Sequence, residues 1–212
     1  MLPVEGTARG TAPLTEQEGL MRQTAADIDH AILDVAAGIF ATHGYAHTSV
    51  QQVADAVGYS KPGLLHRFGS KEALYRLVLS EVSRTADDIA AFAIARANDP
   101  DQALAVLELV TRRALARPGM MRMMLRAFGP ATDDPFSAMV RSSGAKLLDA
   151  LDHPLSTAVE RLRVLLALEL ISTAAITQHS RVGSDLRVDA EHFVRTVVPL
   201  AAGVLGAQPV AV

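Results

Sequence analysis

Three glycines, Gly44, Gly58 and Gly69, cut residues 25–82 into short apolar-periodic segments, and this punctuation constrains the fold more than any other feature. From Ala25, residues Ile28, Ala31, Ile32, Val35, Ala36, Ile39 and Phe40 recur at three- and four-residue spacing, placing one apolar stripe on a helix. Gly44 stops it, because glycine takes the left-handed closing conformation at little cost. Thr48 and Ser49 then offer N-caps, with Gln51 and Gln52 three residues on, a capping box in either register. Val50, Val53, Ala54 and Val57 form the inner face of a two-turn helix that Gly58 ends. A third segment, Ser60–Phe68, carries Leu64, Leu65 and Phe68, and Ser70 caps a long helix with Ala73, Leu74, Leu77, Val78 and Val82. Two turns of helix are unstable alone, so the second and third helices must lean on the first and on the start of the fourth. Such a trio with a tight glycine turn is a helix-turn-helix unit.

Beyond Asn98 the pattern stays helical. Asp99-Pro100 predicts a helix start running to about Arg117, and Pro118-Gly119 a break. Met120–Phe128 reads as a short Met-rich helix, Asp134 to about Leu151 as another, and Leu155–His179 as the most apolar helix of the chain. Arg181–Arg187 is a polar connection before Val188–Leu205, where Pro199 predicts a kink or a late restart. Residues 1–22 mix Gly, Pro, Thr and Glu without periodicity and read as a flexible arm. The expected division is thus an arm at 1–22, a helix-turn-helix domain at 23–70 and a helical body at 71–212, an all-α chain.

Composition narrows the function. Half the residues are hydrophobic but only 4% are aromatic, a balance that favours helices packed on helices. There is no cysteine, which excludes disulfides, zinc fingers and thiol catalysis. No signal peptide is readable, and the longest apolar run, Val164–Leu168, is too short to span a bilayer, so a soluble, cytoplasmic chain is expected. No metal or cofactor motif stands out: Gly44 separates His43 from His47, and no phosphate loop or nucleophile elbow is present.

A formal charge of −3 speaks against DNA as a partner, so a DNA reading must rest on a local patch. Between Gly58 and Lys71 stand Lys61, His66, Arg67 and Lys71 with no acidic residue. Lys71 lies in a first helical turn, where the dipole disfavours a cation, and there it would serve as a phosphate clamp. The Thr48 and Ser49 caps would do likewise, and Ser60, Gly63 and Leu64 complete the candidate surface, one leucine meeting a thymine methyl. Pro62 disfavours the helical conformation at Lys61, so Lys61 sits at the cap and projects outward. The alternatives are plain. Each lysine is otherwise a solvated charge, His66 packs on the first helix, and Arg67 pairs with a carboxylate at the domain junction.

The stretch from Ile32 to Leu79 resembles the DNA-binding signature of the TetR family. The resemblance runs through Ile32-Leu33-Asp34-Val35-Ala36, Phe40, Gly44-Tyr45, Thr48-Ser49-Val50 and Val53-Ala54. It continues in Val57-Gly58-Tyr59-Ser60-Lys61, Leu64, His66, Phe68 and Ser70-Lys71-Glu72-Ala73-Leu74. It implies an all-α homodimer with a DNA-binding head, double-stranded operator DNA as partner, and a small-molecule effector pocket in a divergent body. Two departures matter: Gly63 and Leu65 stand where relatives often carry Thr and Tyr, so their contact pattern does not transfer whole. Within the resemblance, Met120, Met124 and Phe128, with His179, become candidates to line a pocket for a largely apolar effector. Leu155–His179 and Val188–Leu205 are apolar over more than one face, a surplus that predicts a partner, and they fit the family's four-helix dimer interface.

The leading expectation is a ligand-responsive repressor rather than an enzyme. A helical enzyme or carrier, and a dimeric adaptor that does not bind DNA, are the alternatives. The first would need convergent catalytic groups in the body, and the second would tolerate loss of Lys61 and Lys71.

Overall fold

The computed structural model describes residues 14–128, 138, 141–142, 145, 157–180 and 184–206, which are helical and joined by short turns. The helices are α1 (Leu14–His47), α2 (Val50–Val57), α3 (Lys61–Phe68), α4 (Lys71–Ala95), α5 (Gln102–Ala116), α6 (Pro118–Leu125), α7 (Ala158–His179) and α8 (Ala190–Leu205). Single 3-10 turns follow α6 at Arg126–Phe128 and precede α8 at Ser184–Leu186. Every element among the described residues is helical, as composition and spacing predict.

Several boundaries differ from expectation. α1 begins at Leu14, so residues 14–22, read as flexible arm, continue the helix; the run from Glu16 to Gln23 is rich in good helix formers that outweigh Gly19. Gly44, with φ 78° and ψ 163°, breaks the helix where expected, and one turn, Tyr45–His47, follows the kink. Asp99-Pro100 forms a turn instead of a helix start: the Asp99 carboxylate accepts the Asp101 N–H at 2.9 Å, and α5 opens at Gln102. α8 runs through Pro199 without restarting. The helix expected from Asp134 to Leu151 falls, apart from isolated positions, outside the described residues.

One apolar core runs through the molecule, from Ile32 and Phe40 on α1 through Val82 and Ile89 on α4 to Ile171 on α7 and Ala202 on α8. α1 packs along α6 more extensively than any other helix pair. Its Asp34 carboxylate, half-buried, accepts the N–H groups of Met120 at 2.8 Å and Gly119 at 3.3 Å, capping α6 from across the structure. Burial raises the Asp34 carboxyl above its usual range, opposed by those two N–H groups and by the charges of Arg117 and His179. α1 and α6 are therefore fastened at this point.

Candidate nucleic-acid interface

α2 and α3 owe their existence to local caps. Ser49 Oγ accepts the Gln52 N–H at 3.1 Å while Gln52 Oε1 accepts the Ser49 N–H at 2.7 Å, a closed capping box. Gly58 in the left-handed region (φ 71°) ends α2, and the Tyr59 N–H donates to the Ala54 carbonyl at 2.9 Å. Ser60 Oγ then accepts the Gly63 N–H at 3.1 Å to start α3, so Ser60 is the cap in place of the expected Lys61. Lys61 and Pro62 fall in the first turn, where a missing N–H costs nothing. Gly69 and Ser70 alone separate α3 from α4, and Ser70 Oγ caps α4 through the Ala73 N–H at 3.0 Å. So short a connection makes α3 follow α4. Val53, Ala54 and Leu64 are buried, anchoring both short helices to the core.

The four basic residues of this segment do not form a single free face. Lys61 and His66 lie exposed on α3 with no hydrogen-bond partner among the described residues. Arg67 is turned back onto α1, where its Nε pairs with the Asp29 carboxylate and one terminal nitrogen donates to the Ala25 carbonyl at 3.1 Å. Lys71 Nζ donates to the carbonyls of Tyr45 and Thr48, both at 3.0 Å, and sits 4.2 Å from the centre of the Tyr45 ring. That ring is 4.8 Å from Tyr75, which in turn meets Phe40 edge-on at 4.7 Å. Lys71 thus ties the α1–α2 connection to the start of α4. Acceptors fixed in the fold satisfy the cation that the helix dipole disfavours.

The hydroxyl-bearing candidates also divide. Thr48 is 2% exposed and its hydroxyl donates to the Gly44 carbonyl at 2.8 Å, so it serves the turn after the kink. Ser49 and Ser60 are exposed N-caps at the outer rim. Leu64 is core, Leu65 half-buried, and Gly63 is close enough to Ser60 that a Cβ would lie 3.1 Å from its Oγ. The outward surface of α3 therefore consists of Ser60, Lys61, Pro62 and His66, flanked by Gln51 and Gln52 of α2. Asp29 and Tyr45 were not foreseen as partners; nothing local in the sequence marks them, since each reaches its cation across the fold.

The effector candidates fall in separate places. Met120 and Met124, one turn apart on α6, line a cavity of about 230 Å³ between α4, α5 and α6. His179 lines a second, shallower hollow of about 390 Å³ between α1, α6 and α7, its Nδ1 donating to the Ala175 carbonyl at 2.8 Å. Phe128 packs against the core.

Residues 32–78 match the sequence profile of the bacterial regulatory proteins of the tetR family. The HTH-type transcriptional regulator RutR of Escherichia coli K12 is 44% identical over 52 residues, a match spanning 24% of this chain and 24% of that regulator. The chain thus matches about a quarter of the length of its curated relatives. The crystal structure of a TetR-family transcriptional regulator from Bordetella parapertussis 12822 superposes with a TM-score of 0.54 at 23% identity. That superposition covers 87% of this chain and 98% of the other, and it extends the likeness in fold well beyond the N-terminal unit.

Proposed function

We propose that this chain, which belongs to the TetR family of helix-turn-helix transcriptional regulators, is a homodimeric repressor that leaves its operator when a small molecule binds the body. The observation that carries the reading is the outward surface of α3: Lys61 and His66 are exposed, unpaired among the described residues, and held on a helix fixed at both ends by Ser60 and Gly69. A rigid helix of that kind enters the major groove with its first turns against base edges while cap residues and basic side chains meet phosphate. Lys61 and Ser60 are assigned to phosphate, His66 to a base edge or phosphate, and Ser49 to phosphate from α2. Lys71 and Thr48 act from behind, by holding the α1–α2 connection in place, and Arg67 by fixing α3 to α1.

The division of labour follows the same reading, with the DNA-binding unit ending near Ser70 and the body beginning with α4. Val159, Leu162 and Leu166 recur along one face of α7 at 60%, 55% and 51% exposure, and Leu200 of α8 stands at 57%. A soluble chain does not leave such a stripe to water, and a second copy of α7 and α8 would cover it as a four-helix interface. The two α3 helices would then face successive major grooves, about 34–36 Å apart. Selection of bound sequences from random duplex DNA tests the proposal. An inverted repeat with half-sites one turn apart supports it; recovery of no preferred sequence, with binding governed only by salt, refutes it.

A further inference from the structure

We infer that the cavity between α4, α5 and α6 takes a small organic anion with an apolar tail, the anionic group held by Arg113 and Arg117 and the tail laid on Met120, Met121 and Met124. This rests on the reading of the chain as a ligand-responsive regulator and names the chemistry of its effector. The cavity holds about 230 Å³. A cavity of about 150 Å³ accommodates benzene, so the occupant has on the order of eight to twelve non-hydrogen atoms. Its floor is methionine and Val82, surfaces that adapt to varied apolar shapes. Its rim is different: Arg84, Arg113 and Arg117 line it against a single lining carboxylate, Asp88.

The three guanidiniums are not fully answered by protein. Arg113 reaches Asp88 at 3.2 Å, and Arg117 shares one carboxylate oxygen of Glu81 with Arg84, at 3.0 and 2.6 Å. Burial alone would raise the Glu81 carboxyl, yet hydrogen bonds from Arg84 and Arg117 outweigh it and hold it below its usual range. The Nε–H of Arg117 is buried with no acceptor among the described residues. Buried N–H groups of a cation are almost always satisfied, so this one leaves the Arg117 guanidinium a hydrogen bond short. A carboxylate or similar anion at the rim supplies that bond as it draws the guanidinium toward the cavity. A wholly apolar ligand would leave it unmet.

Arg117 also explains how such a ligand reaches the DNA-binding unit. It stands at the corner between α5 and α6, pairs with Glu81 of α4 and donates to the His30 carbonyl of α1 at 3.5 Å. An anion that draws Arg117 competes with both contacts and loosens the corner from the two helices that carry α3.

Calorimetric titration of the intact protein with hexanoate, octanoate and benzoate, each beside its neutral amide, tests the inference. At least one acid binds, its amide binds about tenfold or more weakly, and Arg113→Gln and Arg117→Gln each weaken the acid by a similar factor. Ala116→Phe, which fills the mouth from an exposed position, removes binding while the far-ultraviolet dichroism stays unchanged. Equal binding of acid and amide, indifference to Arg113→Gln and Ala116→Phe, or no acid bound at millimolar concentration overturns the inference. Operator retention is read in the same samples. Specific DNA binding by a protein that ignores every acid overturns the anion site and leaves the regulator reading intact; acid binding without operator specificity does the reverse.

Discussion

Gly119 brings its backbone so close to α1 that a Cβ there would stand 2.0 Å from the Asp34 carbonyl oxygen and 2.9 Å from the Gly38 nitrogen. Both obstacles are backbone, so neither can turn aside as a side chain would. The same two residues are joined a second way, through the Asp34 carboxylate and the Gly119 N–H. The position of α6 against α1 is thereby set from both sides, held by a hydrogen bond and limited by contact.

Gly119→Ala should therefore cost about 3 kcal/mol or more, since α6 must move away from α1 and give up the Asp34 cap. Gly38→Ala, whose Cβ meets Gly119 Cα at an ordinary 3.4 Å, should cost roughly 1 kcal/mol or less. Urea unfolding of the two variants checks this ordering; equal effects would show that the contact is not the constraint.

Asp34 gives the junction a pH signature. Its carboxyl lies above the usual 3.8 through burial, so the stabilisation by its neutral form is complete below that value and is lost as pH rises through the raised one. Asp34→Asn removes that titration. The stability of the parent protein minus that of the variant should fall as pH climbs through this acid window, then level off. A difference that grows with pH would mean that the N–H groups of Gly119 and Met120 outweigh burial.

The two lysines should separate by experiment. Lys61→Ala leaves the melting temperature unchanged and lowers the slope of log affinity against log salt by about one unit, the mark of one lost phosphate contact. Lys71→Ala removes the ties to Tyr45 and Thr48 and should destabilise the protein by about 1–3 kcal/mol. If Lys71→Ala left stability untouched and moved the salt slope alone, Lys71 would belong with the phosphate contacts.

This contrast shows where the sequence stopped being readable. Caps and turns were legible because Ser49 and Gln52, Ser60 and Gly63, or Ser70 and Ala73 lie three residues apart, and such bonds are dictated by helix geometry. A carboxylate partner for Arg67 was one of two open readings. Its identity as Asp29 and the carbonyls that hold Lys71 were not legible, because these partners are 38 and 26 or 23 residues away and depend on how α1 crosses α3 and α4. A basic run in sequence thus became two groups without a partner among the described residues and two intramolecular ties. Met120 and Met124 share a wall by simple helical spacing, whereas the arginine rim above them arises only where α4 meets the α5–α6 corner.

Dimerisation has its own test. Leu162→Glu with Leu166→Glu places charge in the exposed stripe of α7 without touching the protomer core. Sedimentation should then report a folded monomer, and binding to a two-half-site operator should weaken by orders of magnitude while non-specific binding persists. A variant that still sediments as a dimer would move the interface elsewhere.

The most direct test of the central claim, that α3 is the reading surface, exploits the absence of cysteine from the chain. His66→Cys provides a unique thiol on the exposed face of α3 for a short photo-crosslinker. On selected operator DNA the account predicts crosslinks at two positions related by the operator's two-fold axis, about one helical turn apart. Crosslinks scattered without register, or none from residue 66 on DNA that the protein binds specifically, would contradict it.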